Sequence, residues 1–272
     1  MNDLEKTEGN INMVIQEKKL PTKIFIIPYR DRIFQKTHFT IYMKYILEDL
    51  DPDDYEIYFS HQCDKRPFNR GGTKNIGFLA VKNKYPDDYK KMTFIFNDID
   101  TIPLVKNILN YNTAPGIVKH YYGFNFALGG IFSIRGADFE KVNGFPGFWG
   151  WGMEDNTIQE RILSAGMKID RSNFFPLGCQ EINQHLDRPY RMIANKDSTR
   201  MKQKFPDGLN TIRNLKYTID GDMINISAFD NSIDLAKEQF YKQNMAETTS
   251  VQYDLIGRMQ KQNRFSMSNM RK

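Results

Sequence analysis

Cysteine is almost absent from this chain: Cys63 and Cys179 are the only two in 272 residues. Two thiols cannot staple a small secreted scaffold, and they fall short of the ligand set of a structural zinc site. That scarcity points to a reducing compartment. No apolar run approaches the roughly 20 residues that cross a bilayer as a helix. Residues 1–20 are polar and mixed in charge, without signal-peptide character. The expectation is a soluble, cytoplasmic protein with a flexible N-terminal segment over residues 1–20. Acidic residues are missing from the stretch Ile256–Lys272, where Arg258, Lys261, Arg264, Arg271 and Lys272 stand. Their five positive charges equal the whole net charge of +5, so the rest of the chain is neutral overall. A neutral body argues against nucleic acid as a partner, and a basic tail is most often solvated. Tryptophan is also scarce, and both copies, Trp149 and Trp151, fall in one short segment.

What remains is an ordinary globular composition, 40% hydrophobic and 26% charged, long enough for a large core. Lys23–Ile27 is a short apolar run ending at Pro28, the pattern of a buried parallel strand. Phe34, Ile41 and Tyr45 then recur near helical spacing, with Thr37 and His38 on the same face, predicting a helix to about Leu50. Tyr55–Ser60 and Met92–Asn97 read as strands and Arg70–Val81 as a helix between them. Strand, helix, strand, helix, strand predicts an α/β fold with a mostly parallel central sheet flanked by helices. Asp155–Gly166 reads as a further helix, opened by acidic residues and closed by glycine. Leu215–Ser227 reads as a hairpin turning at Asp220-Gly221-Asp222. From Asp230 the pattern becomes helical and polar, so the expected division is a catalytic domain over 21–228 and a helical, basic extension over 229–272.

Ligands in parallel α/β sheets sit off the carboxyl ends of the strands. Pro28-Tyr29-Arg30, Phe68-Asn69-Arg70 and Asp98-Ile99-Asp100 all fall there. In extended chain Asp98 and Asp100 point the same way, and two hard oxygen ligands on one face suit Mg²⁺ or Mn²⁺; an acidic turn is the plainer alternative. Arg30 and Arg32 can fork onto phosphate, or pair with Asp31 at the surface. Trp149-Gly150-Trp151-Gly152-Met153-Glu154-Asp155 joins flat indoles, glycine-permitted turns and paired carboxylates, a combination suited to stacking on a sugar and taking its hydroxyl proton. A helix-capping turn is the competing reading.

The order of these blocks is more specific than any one of them. Ile26-Ile27-Pro28-Tyr29-Arg30-Asp31-Arg32, Phe68-Asn69-Arg70-Gly71, Phe96-Asn97-Asp98-Ile99-Asp100, Asn143-Gly144-Phe145-Pro146, the Trp149–Asp155 segment and His185 together resemble the β-1,4-galactosyltransferase family over about residues 23–227. The resemblance implies a GT-A nucleotide-sugar fold and an inverting, metal-dependent transfer from a UDP-sugar to a glycan acceptor. It places Pro28, Tyr29, Arg30, Arg32, Phe68, Arg70, Asp98 and Trp151 at the donor, and Asp100 and His185 on Mn²⁺, with Mg²⁺ as the alternative. Trp151, Glu154 and Asp155 fall at the acceptor, with Asp155 as general base assisted by Glu154. Met153 and Asn156 depart from the family pattern. So does Ile182, which stands where the family has a methionine ligand and leaves the third protein ligand open. Ala127 falls where galactose-using members carry a tyrosine, which makes an N-acetylhexosamine donor as serious a candidate as galactose. The competing expectation is a carbohydrate-binding scaffold on a decayed transferase fold.

Overall fold

The computed structural model describes residues 19–185, 190–194 and 206–244. β1 (Lys23–Tyr29) is buried along its whole length, because it runs between two parallel neighbours, β2 (Tyr55–Gln62) and β3 (Thr93–Asn97). A strand covered on both faces can be continuously apolar, as the sequence is here. Its side chains alternate between two cores: Ile24 and Ile26 join one, Phe25 and Ile27 the other. α1 (Ile33–Ile46) links β1 to β2, and α2 (Arg70–Lys84) links β2 to β3.

Beyond β3 the chain forms β4 (Thr101–Pro103), β5 (Ile117–Gly123), β6 (Ile131–Arg135), α3 (Gly136–Lys141) and α4 (Glu154–Ser164). β7 (Lys168–Asp170), β8 (Phe175–Pro176), β9 (Ile182–Gln184) and β10 (Tyr190–Ala194) follow. β11 (Arg213–Asp220), β12 (Met223–Asp230) and β13 (Phe240–Asn244) complete the described elements. The main sheet runs β11-β12-β2-β1-β3-β6-β5-β7, with β8 also on β5. β6 is antiparallel to both β3 and β5, so the sheet is mixed, with its parallel core where the sequence placed it. β4 pairs with β9 and β10 with β13 in two small ladders. Phe78, Phe94, Phe96, Phe132, Phe139 and Phe145 pack between the sheet and the helices on one face.

The helix predicted after β1 is present as α1, but the apolar spacing that signalled it lies on its outer side: the face turned to the core is Gln35, Phe39, Met43 and Ile46, whereas Phe34, Ile41 and Tyr45 are 81%, 62% and 48% exposed. One expectation about the elements fails. After β12 the chain makes a single 3₁₀ turn, Leu235–Lys237, and then β13, not a helix. Ile233, Leu235 and Phe240 still pack against the core, which is where the apolar spacing came from. The basic stretch 256–272 lies outside the described residues.

Candidate active site

Three local structures aim charge at one point. The Asn69 side chain caps α2, its Oδ1 accepting from the Gly72 amide at 2.7 Å. Helical spacing then sets Arg70 and Lys74 one turn apart on the same side. α4 opens with Glu154 and Asp155, acidic residues suited to the positive end of a helix. After β3 the backbone turns, Thr101 N donating to Asp98 O at 3.0 Å. Asp98 and Asp100 therefore leave the extended conformation and face different partners, unlike the same-face pair expected from strand alternation.

Arg70 is the hub. Its Nη1 donates to Glu154 Oε1 and to Asp155 Oδ2, each at 2.7 Å. Its Nη2 donates to both oxygens of Asp98, at 2.6 and 2.5 Å. Lys74 Nζ lies 3.5 Å from Asp98 Oδ1 and 3.5 Å from Asp155 Oδ1, with the Phe145 ring 4.6 Å away. Burial pushes the Asp98 carboxyl up, but Arg70 and then Lys74 more than reverse this and bring it down to about 2. Glu154 is likewise lowered, burial being outweighed by Arg70. Asp155 stands above the ordinary carboxylate value: burial raises it, Arg70 and Lys74 compensate only in part, and Glu154 and Asp98 add like charge. Its Oδ1 is buried and accepts no hydrogen bond. An unsatisfied buried carboxylate oxygen is costly, and such groups cluster where chemistry is done.

Asp155 opens onto a cleft of about 580 Å³, a volume in the range of small-molecule sites. Pro28, Arg30, Arg32, Phe68, Arg70, Asp98, Asp100, Trp151 and Asp155 all line it. Gly150 and Gly152 have φ of +78° and +127°, which carries Trp151 out to the wall while Trp149 turns inward. Trp149 is buried and stacks on Phe229 at 5.4 Å, beneath the Arg66 guanidinium. One tryptophan is thus core and the other is site.

Four expected site residues are off the wall, His185 among them. Tyr29 packs edge-on against Phe59 and His61 within the core. Glu154 is buried, held by Arg70 and by the Gly152 amide, so it anchors the hub and does not face the cleft. Ala127 is buried in the loop after β5. Arg70 is on the wall, yet its guanidinium is committed to carboxylates. Sequence reasoning missed Lys74, although its position four residues after Arg70 in an otherwise buried helix is the signal that could have found it. It also missed Gly129, where a Cβ would fall 2.8 Å from Asp155 Oδ2.

Asp100 and His185, expected as metal ligands, flank the β4–β9 ladder, where Thr101 pairs with Gln184, and could hold a divalent cation between them. The His185 amide donates to Asp100 O at 2.7 Å, fixing the two residues to each other. Arg32 Nη1 lies 3.3 Å from Asp100 Oδ2. One carboxylate and one imidazole are donors of the kind that would suit Mn²⁺. Ile182 is buried in the core and cannot ligate. Among the described residues no group of three His, Cys, Asp or Glu side chains gathers as a complete protein cage.

A family profile described as the N-terminal region of glycosyl transferase group 7 matches residues 16–112. A second, described as the N-terminal domain of galactosyltransferase, matches 116–185. β-1,4-Galactosyltransferase 1 of Mus musculus is 32% identical over 209 residues, 71% of this chain. The chain belongs to the β-1,4-galactosyltransferase family. This galactosyltransferase-family chain spans about half the length of its curated relatives, 50% of the mouse protein. β-1,4-Galactosyltransferase 7 of Drosophila melanogaster is 29% identical over 211 residues, 71% of this chain and 62% of that protein. The crystal structure of the catalytic domain of Drosophila β-1,4-galactosyltransferase 7 with xylobiose superposes with a TM-score of 0.62 at 20% identity, covering 80% of this chain and 97% of that one. A mutant of the same enzyme, solved with manganese, UDP-Gal and xylobiose, gives 0.61 at 21% identity with the same coverage. At that identity the match carries the GT-A fold. The expectation of a cytoplasmic enzyme is corrected here, because the relatives are animal galactosyltransferases and not cytoplasmic enzymes. Among the described residues no helix is long and apolar enough to cross a membrane.

Proposed function

We propose that the protein is an inverting, metal-dependent glycosyltransferase that moves galactose or an N-acetylhexosamine from a UDP-sugar to a sugar hydroxyl, leaving a β-linked product. The observation that carries this reading is the Asp155 carboxyl, part-exposed on the wall of a cleft that Trp151, Asp98, Asp100 and the arginines Arg30 and Arg32 also line. Family membership, and a structural neighbour solved with manganese, UDP-Gal and xylobiose, support the choice of donor class and metal.

Arg30 and Arg32 on the cleft wall are suited to the donor diphosphate, with Pro28 and Phe68 against the nucleoside. Trp151 offers its ring face to the acceptor sugar. Asp155 takes the acceptor hydroxyl proton as that oxygen bonds to the anomeric carbon and the bond from that carbon to the diphosphate oxygen breaks. A single displacement inverts the anomeric centre and releases UDP. Asp100 and His185 would hold the divalent cation, which when bound supplies positive charge against the leaving diphosphate.

The test is UDP release with Mn²⁺ from UDP-galactose, UDP-N-acetylgalactosamine and UDP-N-acetylglucosamine, each with and without N-acetylglucosamine, glucose or xyloside acceptors. Acceptor-stimulated release that disappears in Asp155→Asn is the expected result, and the best donor decides between galactose and an N-acetylhexosamine. Release without acceptor stimulation would indicate a hydrolase. No release and no Mn²⁺-dependent UDP binding would sink the transferase reading in favour of a carbohydrate-binding scaffold.

A further inference from the structure

Lys74 is a fully buried ammonium, 1% exposed, in the first turns of α2. Burying a lysine is costly unless its charge is matched, and here it is matched twice. Arg70, Asp98, Lys74 and Asp155 form a closed ring of alternating charge. Arg70 bonds Asp98 and Asp155 through separate nitrogens, and Lys74 spans the same two carboxylates from behind, at 3.5 Å each. Glu154 hangs from Arg70 outside the ring. Phe145 closes the remaining side of the ammonium, so Lys74 has no route to the cleft mouth and is absent from the cleft wall.

We propose that Lys74 is a positioning residue for the base: it holds Asp155 ionised and fixed relative to Asp98. The inference rests on the reading of Asp155 as general base. Its physical content is a division of labour between the two cations. Arg70 fixes the orientation of the Asp155 carboxylate through Oδ2. Lys74 supplies charge to the buried Oδ1 at 3.5 Å, from the side of the carboxylate turned away from the cleft. The groups facing Asp155 are Arg70 and Lys74 from α2, Glu154 beside it on α4, and Asp98 from the end of β3. Removing the ammonium leaves three carboxylates on one guanidinium.

The experiment compares wild type, Lys74→Met and Asp155→Asn for acceptor-stimulated UDP release across pH, with thermal melting and Mn²⁺-dependent UDP binding as checks on the fold. In Lys74→Met the acidic limb of the kcat profile moves up by about 1–3 pH units, the shift an opposite charge at this range produces. Turnover falls by roughly 10-fold or more through loss of position, while donor KM stays within about twofold. In the Asp155→Asn background Lys74→Met has no further effect on residual turnover, because the group it acts through is gone. A purely structural lysine would lower both activities in proportion and leave the limb in place. Should Lys74→Met not fold, Asp98→Asn/Lys74→Met removes one charge of each sign, and it is compared with Asp98→Asn alone for the same shift. An unmoved acidic limb with wild-type kcat overturns the role of Lys74. Wild-type turnover in Asp155→Asn overturns instead the reading of Asp155 as base.

Discussion

Replacing Arg70 with methionine keeps much of the side-chain volume and removes the charge that three buried carboxylates share. Four hydrogen bonds of 2.5–2.7 Å are lost with it, to Asp98, Glu154 and Asp155. What remains is Lys74 alone against three carboxylates. Breaking a buried ion pair from one side costs about 3–5 kcal/mol, because the other side is left uncompensated. The Asp98 carboxyl gives an independent estimate. It is brought from 3.8 to about 2, and about two pKa units correspond to roughly 2–3 kcal/mol from that residue alone. A carboxylate depressed in the folded state contributes its stability above about pH 4 and loses it as pH falls through about 2. Arg70→Met removes that contribution, so its penalty is largest near neutral pH and narrows toward about pH 4, where the stranded carboxylates take up protons. Urea unfolding followed by the fluorescence of buried Trp149, at about pH 7 and about pH 4.5, measures both effects. A loss below about 1 kcal/mol, or one that does not change with pH, would refute the account of Arg70 as the charge hub.

The two tryptophans should separate cleanly. Trp149→Ala is expected to cost about 3–5 kcal/mol in urea unfolding, as a buried aromatic does. Trp151→Ala should stay within about 0.5 kcal/mol of wild type and instead lose acceptor-stimulated UDP release. His120 is buried, hydrogen-bonded to Tyr122 O and Gly129 O, and burial together with Arg171 brings its pKa down to about 4. The unfolded chain binds this proton first, so stability should fall between about pH 6.5 and pH 4 by up to roughly 3 kcal/mol. His120→Gln should flatten that slope, which chemical unfolding across the same range will show. Gly129→Ala puts a methyl 2.8 Å from Asp155 Oδ2. The displaced oxygen is the one that Arg70 Nη1 holds at 2.7 Å, so melting should fall and kcat should drop by roughly 10²-fold; unchanged kcat would mean that the Asp155 position is not critical.

The parallel core was legible because strands buried on both faces carry continuous apolar runs, as in Phe25–Ile27 and Phe94–Phe96. The polarity of α1 was not, because apolar spacing cannot say which of two stripes is inward. Gln35 is buried there and Phe34 exposed, the reverse of what hydrophobicity alone assigns. Most of the cleft was legible as an ordered series of motifs. Their individual roles were less so: Tyr29 and Glu154 sit in the right segments but point into the protein, and side-chain direction is set by packing. Asp98 and Asp100 were read as extended, and the turn at Thr101 separates them. Lys74 went unnoticed because a lysine in a helix is ordinarily solvated, and only the tertiary approach of Asp98 and Asp155 gives it a reason to be inside.

The pairing of β12 with β2 has a consequence for how this chain is made. Met223 lies beside Phe59 and Ile226 beside Gln62, so the outer flank of β2 is completed by residues synthesised far later. At about 5–20 residues per second, that flank stays bare for roughly 8–33 s of translation. During that interval β2 presents unpaired amide and carbonyl groups, a template for adventitious strand addition by a neighbouring nascent chain. Truncations ending before Met223 would make that transient vulnerability permanent. The late hairpin of β11 and β12 thus covers an edge synthesised long before it.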